Sequence, residues 1–283
     1  MSIKDIPIRV EGDGIAAAGV KEPELDYPVL PADMATYDPP DLAAWDDALD
    51  ECPRAVERLR EIEAAVRGYT GNGPQVVELD DLDRVSLGLV NDILAEGEVS
   101  IRIDGAHPYR IQESILAGLW RVRRVDAAER VLGDSVIVDT IPAVVHSAVE
   151  AETVARLDRE PVEPGAVNSR ALRVEIAERV AEYRPGDPSH VINLTLLPMM
   201  PADQIDLEHI GRGPVTILSR GYGNCRITAT AARNLWRVQY FNSTDHLILD
   251  TLEVVDVPEV ALAAGEDIVE SAKRLEQVLG QLQ

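Results

Sequence analysis

The 283-residue sequence is short of cysteine, of aromatic side chains and of positive charge, and each shortage removes a class of protein. Two cysteines, Cys52 and Cys225, cannot build the disulfide framework of a small secreted domain. One phenylalanine, three tryptophans and seven tyrosines leave Leu, Val, Ile and Ala to do most of the packing in a chain that is 46% hydrophobic. No apolar run approaches the ~18 residues needed to cross a bilayer, so no membrane insertion is expected. The opening MSIKDIPIRVEGDG lacks the basic-then-apolar order of a secretory signal, and a cytoplasmic protein is the plain reading. Basic residues number 27 against 50 acidic ones, a formal charge of −23. A surface of that sign repels phosphates, which argues against nucleic acid as a partner. The acidity either keeps the chain soluble or draws a basic partner, and solubility is the simpler account.

Catalytic and metal signatures are also missing. There is no CxxC or HExxH, and His107, His146, His190, His209 and His246 contain no pair at ligand spacing. GYGNC, residues 221–225, lacks the third glycine and the βαβ setting of a dinucleotide fingerprint, and neither GxxxxGK nor GxSxG occurs. Glu113, Asp250 and Glu253 lie in strand-like segments without a partner at defined spacing and read as strand-end solvation. The expectation is a protein that is not an enzyme and carries no cofactor.

What is present is a repeat. GLWRVRRVD, residues 118–126, returns as NLWRVQYFN, residues 234–242, with Trp120 and Trp236 116 positions apart. The same offset aligns the flanks without a gap: Val99 falls on Val215, Ile101 on Ile217, Gly105 on Gly221, Arg110 on Arg226 and Ile111 on Ile227. Further on, Asp134 meets Asp250, Val138 meets Val254 and Pro142 meets Pro258. Chance does not supply a four-residue block with matches spread on both sides. VSIRI and VTILS read as short strands. RIQESILAGLWRVRRV and RITATAARNLWRVQYF read as long strands, bent or bulged at Gly118 and Asn234, because β-branched and aromatic residues fill their ends. VIVDTI and LILDTLEVVDV supply a third strand, stopped near the shared proline, and a helix follows each.

The fold class implied is α+β: two homologous β-rich repeats, strand–helix–three strands–helix each, in a pseudo-twofold arrangement after an N-terminal arm and helix. The boundaries read as an extended acidic arm over 1–40, a helical segment over 41–75, a first repeat over 76–160, a linker and helix over 161–188 and a second repeat over 189–283. Leu42, Trp45, Leu49, Cys52, Val56, Leu59, Ile62 and Val66 recur at helical steps, with Pro53 expected to split or kink that helix. Trp120 and Trp236 read as packing residues, since burial is the cheapest account of a tryptophan on a strand.

Divergence between two like copies is where a specific function can sit. The turn after the first strand is DGAHPYRIQES in one copy and SRGYGNCRITAT in the other. The candidate partner-binding residues are therefore Arg220, Gly221, Tyr222, Gly223, Asn224, Cys225 and Arg226. Two glycines allow a tight turn and close approach of another chain. Arg220 and Arg226 beside Cys225 would depress its pKa and make it a reactive thiolate or metal ligand. Against this, Tyr109 stands opposite Cys225 in the first copy and no second cysteine is near, so a turn or packing cysteine is favoured.

The ordered blocks NLTLLPMMPAD, GPVTILSRGYGNCRITAT and NLWRVQYFNSTDHLILDTLEVVDVPEVALAAGEDI resemble the C-terminal signature of the HupH/HyaF family of hydrogenase expression and formation proteins. IQESILAGLWRVR resembles that family's first copy of the domain, and the likeness runs over roughly residues 76–280. The resemblance implies a cytoplasmic, non-catalytic, chaperone-like accessory in maturation of a nickel–iron (NiFe) uptake hydrogenase. Its implied partners are the iron–sulfur small subunit or its precursor before export, and other hydrogenase accessory proteins. The alternative is a metal- or redox-handling factor, inserting nickel or an iron–sulfur cluster, that acts through Cys225.

Overall fold

The computed structural model of the chain describes residues 52–71, 73–154, 157, 163–220 and 223–281. The arm over 1–40 and the start of the helical segment, 41–51, lie outside the described residues. Helix α1, Pro53–Arg67, begins at the proline expected to break it. In the first turn no intrahelical donor is required, so Pro53 opens the helix where described rather than kinking it.

Among the described residues, ten strands form one antiparallel sheet. They are β1 (Gln75–Glu78), β2 (Val99–Ile103), β3 (Tyr109–Glu113), β4 (Leu119–Val125), β5 (Val131–Val138), β6 (His190–Asn193), β7 (Arg212–Ser219), β8 (Asn224–Thr230), β9 (Leu235–Phe241) and β10 (Leu247–Val254). Their order is β1-β5-β4-β3-β2-β7-β8-β9-β10-β6. Helices α2 (Arg84–Leu94), α3 (Ala143–Glu152), α4 (Ser169–Glu182), α5 (Pro201–Glu208) and α6 (Gly265–Gly280) complete the mixed α+β fold.

The long strand expected in each half is two strands, so four strands rather than three follow the helix α2 or α5. The break has the same construction twice. The Ser114 hydroxyl accepts from the Leu116 amide and the Thr230 hydroxyl from the Ala232 amide, each at 3.1 Å. Gly118 (φ 78°) and Asn234 (φ 58°) then take the left-handed conformation that turns the chain back. Branched and aromatic residues on both sides of the turn had hidden it.

Strand register repeats at the 116-residue offset. Ile101 pairs with Ile111 and Ile217 with Ile227; Tyr109 pairs with Arg124 and Cys225 with Tyr240; Leu119 pairs with Val138 and Leu235 with Val254. At the centre, β2 and β7 pair with Val99 on Ser219, Ile101 on Ile217 and Ile103 on Val215. Only the edges slip, since Gln75 meets Val138 but His190 meets Val254.

The repeated tryptophan phrase now has a physical account. Trp120 and Trp236 are fully buried, which removes their large apolar surface from water. Each indole N–H still needs an acceptor: Trp120 donates to the Asp139 carbonyl (2.9 Å) and Trp236 to the Asp256 carbonyl (3.0 Å). The next residue faces the other side of the sheet, where Arg121 grips Asp134 and Arg237 grips Asp250 through two nitrogens each. Asp250 is thus an ion-pair partner across strands, not a strand-end solvating group.

One face of the sheet carries Ile101, Ile111, Trp120, Val122, Ile217, Ile227, Trp236 and Val238 into the main core, with Val145 and Val149 of α3. Helix α1 buries Ala55, Leu59, Ile62 and Val66 in the same core and packs against β1, α2 and α6. A second core joins Leu172, Ile176 and Val180 of α4 to Leu207, Ile192, Leu252 and Val254.

Candidate functional site

The turn singled out by divergence is only partly assembled as expected. Gly221 and Tyr222 lie outside the described residues. The Arg220 amide donates to the Glu98 carbonyl at 3.1 Å, and Gly223 sits at φ 99° with open space around its α-carbon. Asn224 and Cys225 open β8, where Cys225 is 4% exposed between Ser219 and Tyr240.

Cys225 is the packing cysteine favoured from the sequence, and the depressed pKa weighed against it is overturned. Burial pushes the Cys225 thiol up to about 12, the Glu253 carboxylate adds to the rise, and the hydrogen bond with Tyr240 opposes it. The reason is strand alternation: Cys225 faces the core with Ile227 and Ala229, while Arg226 faces the opposite side. There Arg226 lies 5.1 Å from the Phe241 ring centroid. Burial likewise pushes the Tyr240 hydroxyl up to about 12 and raises Glu253, which accepts from the Thr251 hydroxyl at 3.1 Å. Glu113 is also buried rather than solvated at a strand end.

In the first half, the loop equivalent to this turn borders an open cleft of about 470 Å³ lined by Arg102, Asp104, His107, Arg110, Arg124 and Glu129. Its charges neutralise one another: Arg102 bonds Asp104 at 2.9 Å and Arg110 bonds Glu129 at 3.0 Å. The cleft therefore presents no field of one sign. Among the described residues no group of three or more His, Cys, Asp or Glu side chains is placed to hold a metal ion.

The chemistry that sequence reasoning missed lies under α4 and α5. The inward positions of α4 include Ser169, Arg173, Ile176 and Val180, with the spacing of Ala55, Leu59, Ile62 and Val66 in α1. Two of the four are polar. Arg173, 2% exposed, donates from Nε to Asp206 Oδ2 at 2.6 Å, and Asp206 also accepts from the Glu163 amide at 3.2 Å. Val90, 116 positions before Asp206, is ordinary core.

Asp203 is fully buried and accepts from the amides of Val167 (2.7 Å), Asn168 (2.8 Å), Ser169 (3.0 Å) and Met200 (3.0 Å). Burial alone would raise its pKa, but those four amides favour the charged form and hold it near about 2. The carboxylate thus fastens the chain entering α4 to the segment entering α5. The two segments it joins carry exposed apolar side chains, Val167 (71% exposed) on one and Leu196 (79%), Leu197 and Met200 (57%) on the other. The signals available in the sequence were charged residues at inward helical positions and the uncharged run from Val191 to Ala202.

The family model for the HupH hydrogenase expression protein, C-terminal conserved region, matches residues 54–159 and 166–282. The chain belongs to the HupH family of hydrogenase expression/formation proteins. It is 44% identical over 265 residues to the hydrogenase expression/formation protein HupQ of Azotobacter chroococcum mcd 1, covering 91% of this chain and 92% of that one. It is 42% identical to HupH of Rhodobacter capsulatus, with 90% of each chain covered. With the hydrogenase-1 operon protein HyaF of Escherichia coli it shares 33% identity over 88% of each chain. No helix among the described residues is long and apolar enough to cross a membrane.

Proposed function

We propose that this chain is a non-catalytic, chaperone-like accessory in maturation of a NiFe uptake hydrogenase, acting in the cytoplasm on the iron–sulfur small subunit or its precursor. Its relatives over about nine-tenths of its length are named hydrogenase expression/formation proteins, and that similarity carries the reading. Two homologous halves, 76–160 and 189–283, related by a pseudo-twofold axis passing between Ile101 and Ile217, form its scaffold; the register repeated at 116 residues supports this. Polar framework beneath exposed apolar side chains suits holding a polypeptide. The metal- or redox-handling alternative through Cys225 finds little support, because that thiol is buried and its pKa is raised.

The test is to purify the tagged chain from cells making the hydrogenase and identify what is retained. Stoichiometric small subunit supports the proposal. Retention of the large subunit alone, or of no hydrogenase protein, overturns it.

A further inference from the structure

We propose that the arginine-bearing face of the sheet, between α2 and α4, is a docking site for an acidic segment of a partner polypeptide. This goes beyond the accessory reading and does not depend on it.

Strand register makes that face one surface. Arg123, Arg110, Arg102, Thr216, Thr228 and Arg237 stand directly opposite one another in a row across β4, β3, β2, β7, β8 and β9. Two residues away along each strand, and so on the same side, Arg121, Gln112, Ser100, Leu218, Arg226 and Gln239 form a second row. The residues between the rows, Ile101, Ile111, Val122, Ile217, Ile227 and Val238, point into the main core, while no member of either row is buried. Helices meet this side at its margins: Arg121 donates to Asn91 of α2, and Leu252, opposite Arg237, packs with α4. At ~4.8 Å per strand the floor between them is roughly 24 Å wide.

The fold does not require the charge found there. Like charges directly opposite one another weaken strand pairing, yet Arg123, Arg110 and Arg102 stand side by side on three strands. The second half has Gln239 and Leu218 at the positions of Arg123 and Arg102, so the sheet forms without those cations. Neither row contains Asp or Glu, although the chain has 50 of them. Asp104 and Glu129 reach Arg102 and Arg110 from neighbouring turns, and Asp134 and Asp250 grip Arg121 and Arg237. Arg123 is left 3.8 Å from the Asp134 carboxylate that Arg121 already holds, with 43% of its side chain exposed.

Charge selects the occupant. At physiological ionic strength exposed charges are screened beyond about 8–10 Å, so a segment lying on the rows meets the arginines rather than the net −23 of the chain. Guanidinium groups hold carboxylates through two nitrogens at once, and Leu218 in the second row gives such a segment an apolar contact. A nucleic acid would carry its phosphates past the rows toward the acidic remainder of the chain, whereas an acidic stretch of polypeptide can end within them.

The test uses the full chain with three labelled probes: a peptide rich in glutamate and leucine, its glutamine counterpart and a single-stranded oligonucleotide. Fluorescence anisotropy should show the glutamate peptide binding at least about tenfold more tightly than the glutamine one, with the gap closing as salt rises. Arg102→Gln with Arg123→Gln should weaken the glutamate peptide about five- to tenfold. Those side chains are 61% and 43% exposed, so the variant should keep the wild-type melting temperature. Arg67→Gln with Lys273→Gln, an equal change of charge on α1 and α6, should bind as wild type. Unchanged affinity in the Arg102/Arg123 variant overturns the site. Tighter binding of the oligonucleotide, weakened by the same variant, overturns the acidic polypeptide in favour of a nucleic acid. A concentration-dependent dimer, seen by sedimentation, that the variant abolishes makes the occupant a second copy and overturns the proposal. So does peptide binding that emerges only when Glu22, Glu24, Asp26, Asp33 and Asp38 are replaced by their amides, because the occupant is then an acidic stretch of this chain.

Discussion

Replacing Glu113 by glutamine should stabilise the protein at alkaline pH and leave it nearly unchanged in mild acid. Glu113 is on β3, cross-strand from Trp120, and 8% exposed. Burial raises its carboxyl to about 7, the hydrogen bond from the Gly118 amide opposes the rise, and Glu98 and Asp267 add to it. Below the unfolded value of 4.5 both states are protonated and the group contributes nothing. Between 4.5 and about 7 the unfolded chain alone releases its proton, so stability falls as pH rises. Above that window the full cost applies, about 3 kcal/mol at 1.36 kcal/mol per pKa unit. Glutamine cannot ionise and still offers an oxygen to Gly118. Its buried NH₂ offsets part of the gain, which leaves about 1–3 kcal/mol of stabilisation at pH 8 and little difference at pH 5. Urea unfolding of both proteins at the two pH values measures this directly. The same difference at both pH values, within about 0.5 kcal/mol, would refute the reasoning.

Asp203→Ala should cost about 2–4 kcal/mol by orphaning backbone donors at the start of α4, and Asp203→Asn should cost less because an acceptor remains. Because its folded pKa lies near about 2, below the ordinary carboxylate value, the contribution of Asp203 should persist to pH 4 and fade as acid is added; unfolding from pH 5 to 2 checks this. Native Cys225 should react with iodoacetamide at pH 8 on the order of a hundredfold more slowly than in urea, and Cys225→Ser should still fold; mass spectrometry and melting curves report both. Asp206→Leu alone should cost about 3–5 kcal/mol by removing the carboxylate that Arg173 pairs with, whereas adding Arg173→Met should restore most of the stability. In that double variant, hydrogen exchange at residues 163–169 should be faster than in wild type.

The repeat was legible because its residues answer to backbone geometry. Trp120, Arg121 and Val122 alternate between two faces at fixed positions, and the same alternation returns at Trp236, Arg237 and Val238. The β3–β4 and β8–β9 turns were not, because Ser114 and Thr230 make them with hydroxyls inside runs of good strand formers. Of the two readings of Cys225, the favoured packing cysteine agrees with its burial, and the reactive thiolate fails because it looked along the chain rather than across it. Arg226 is its nearest neighbour in sequence but faces the other side of the sheet, and Tyr240 and Glu253 set its environment. The Arg173–Asp206 pair spans 33 positions and two helices, so no local window contains it.

Stability alone does not explain why the second half carries that polar network. A buried ion pair commonly contributes no more than well-packed hydrocarbon of the same volume, and the first half has Val90 in its core 116 positions before Asp206. What hydrocarbon cannot do is receive amide protons. Asp206 receives the Glu163 amide and Asp203 receives four more, from backbone leading into α4 and α5. Carboxylates of the first half accept amides too: Asp83 from Ser86, Asp80 from Asp134 and Glu152 from Ala106. The difference is one of number. Those carboxylates each receive a single amide, while Asp203 receives four, from the two segments that lead into α4 and α5. The halves therefore share a sheet that needs hydrocarbon in register, and differ where one must present irregular backbone, with apolar side chains outward, in a fixed shape.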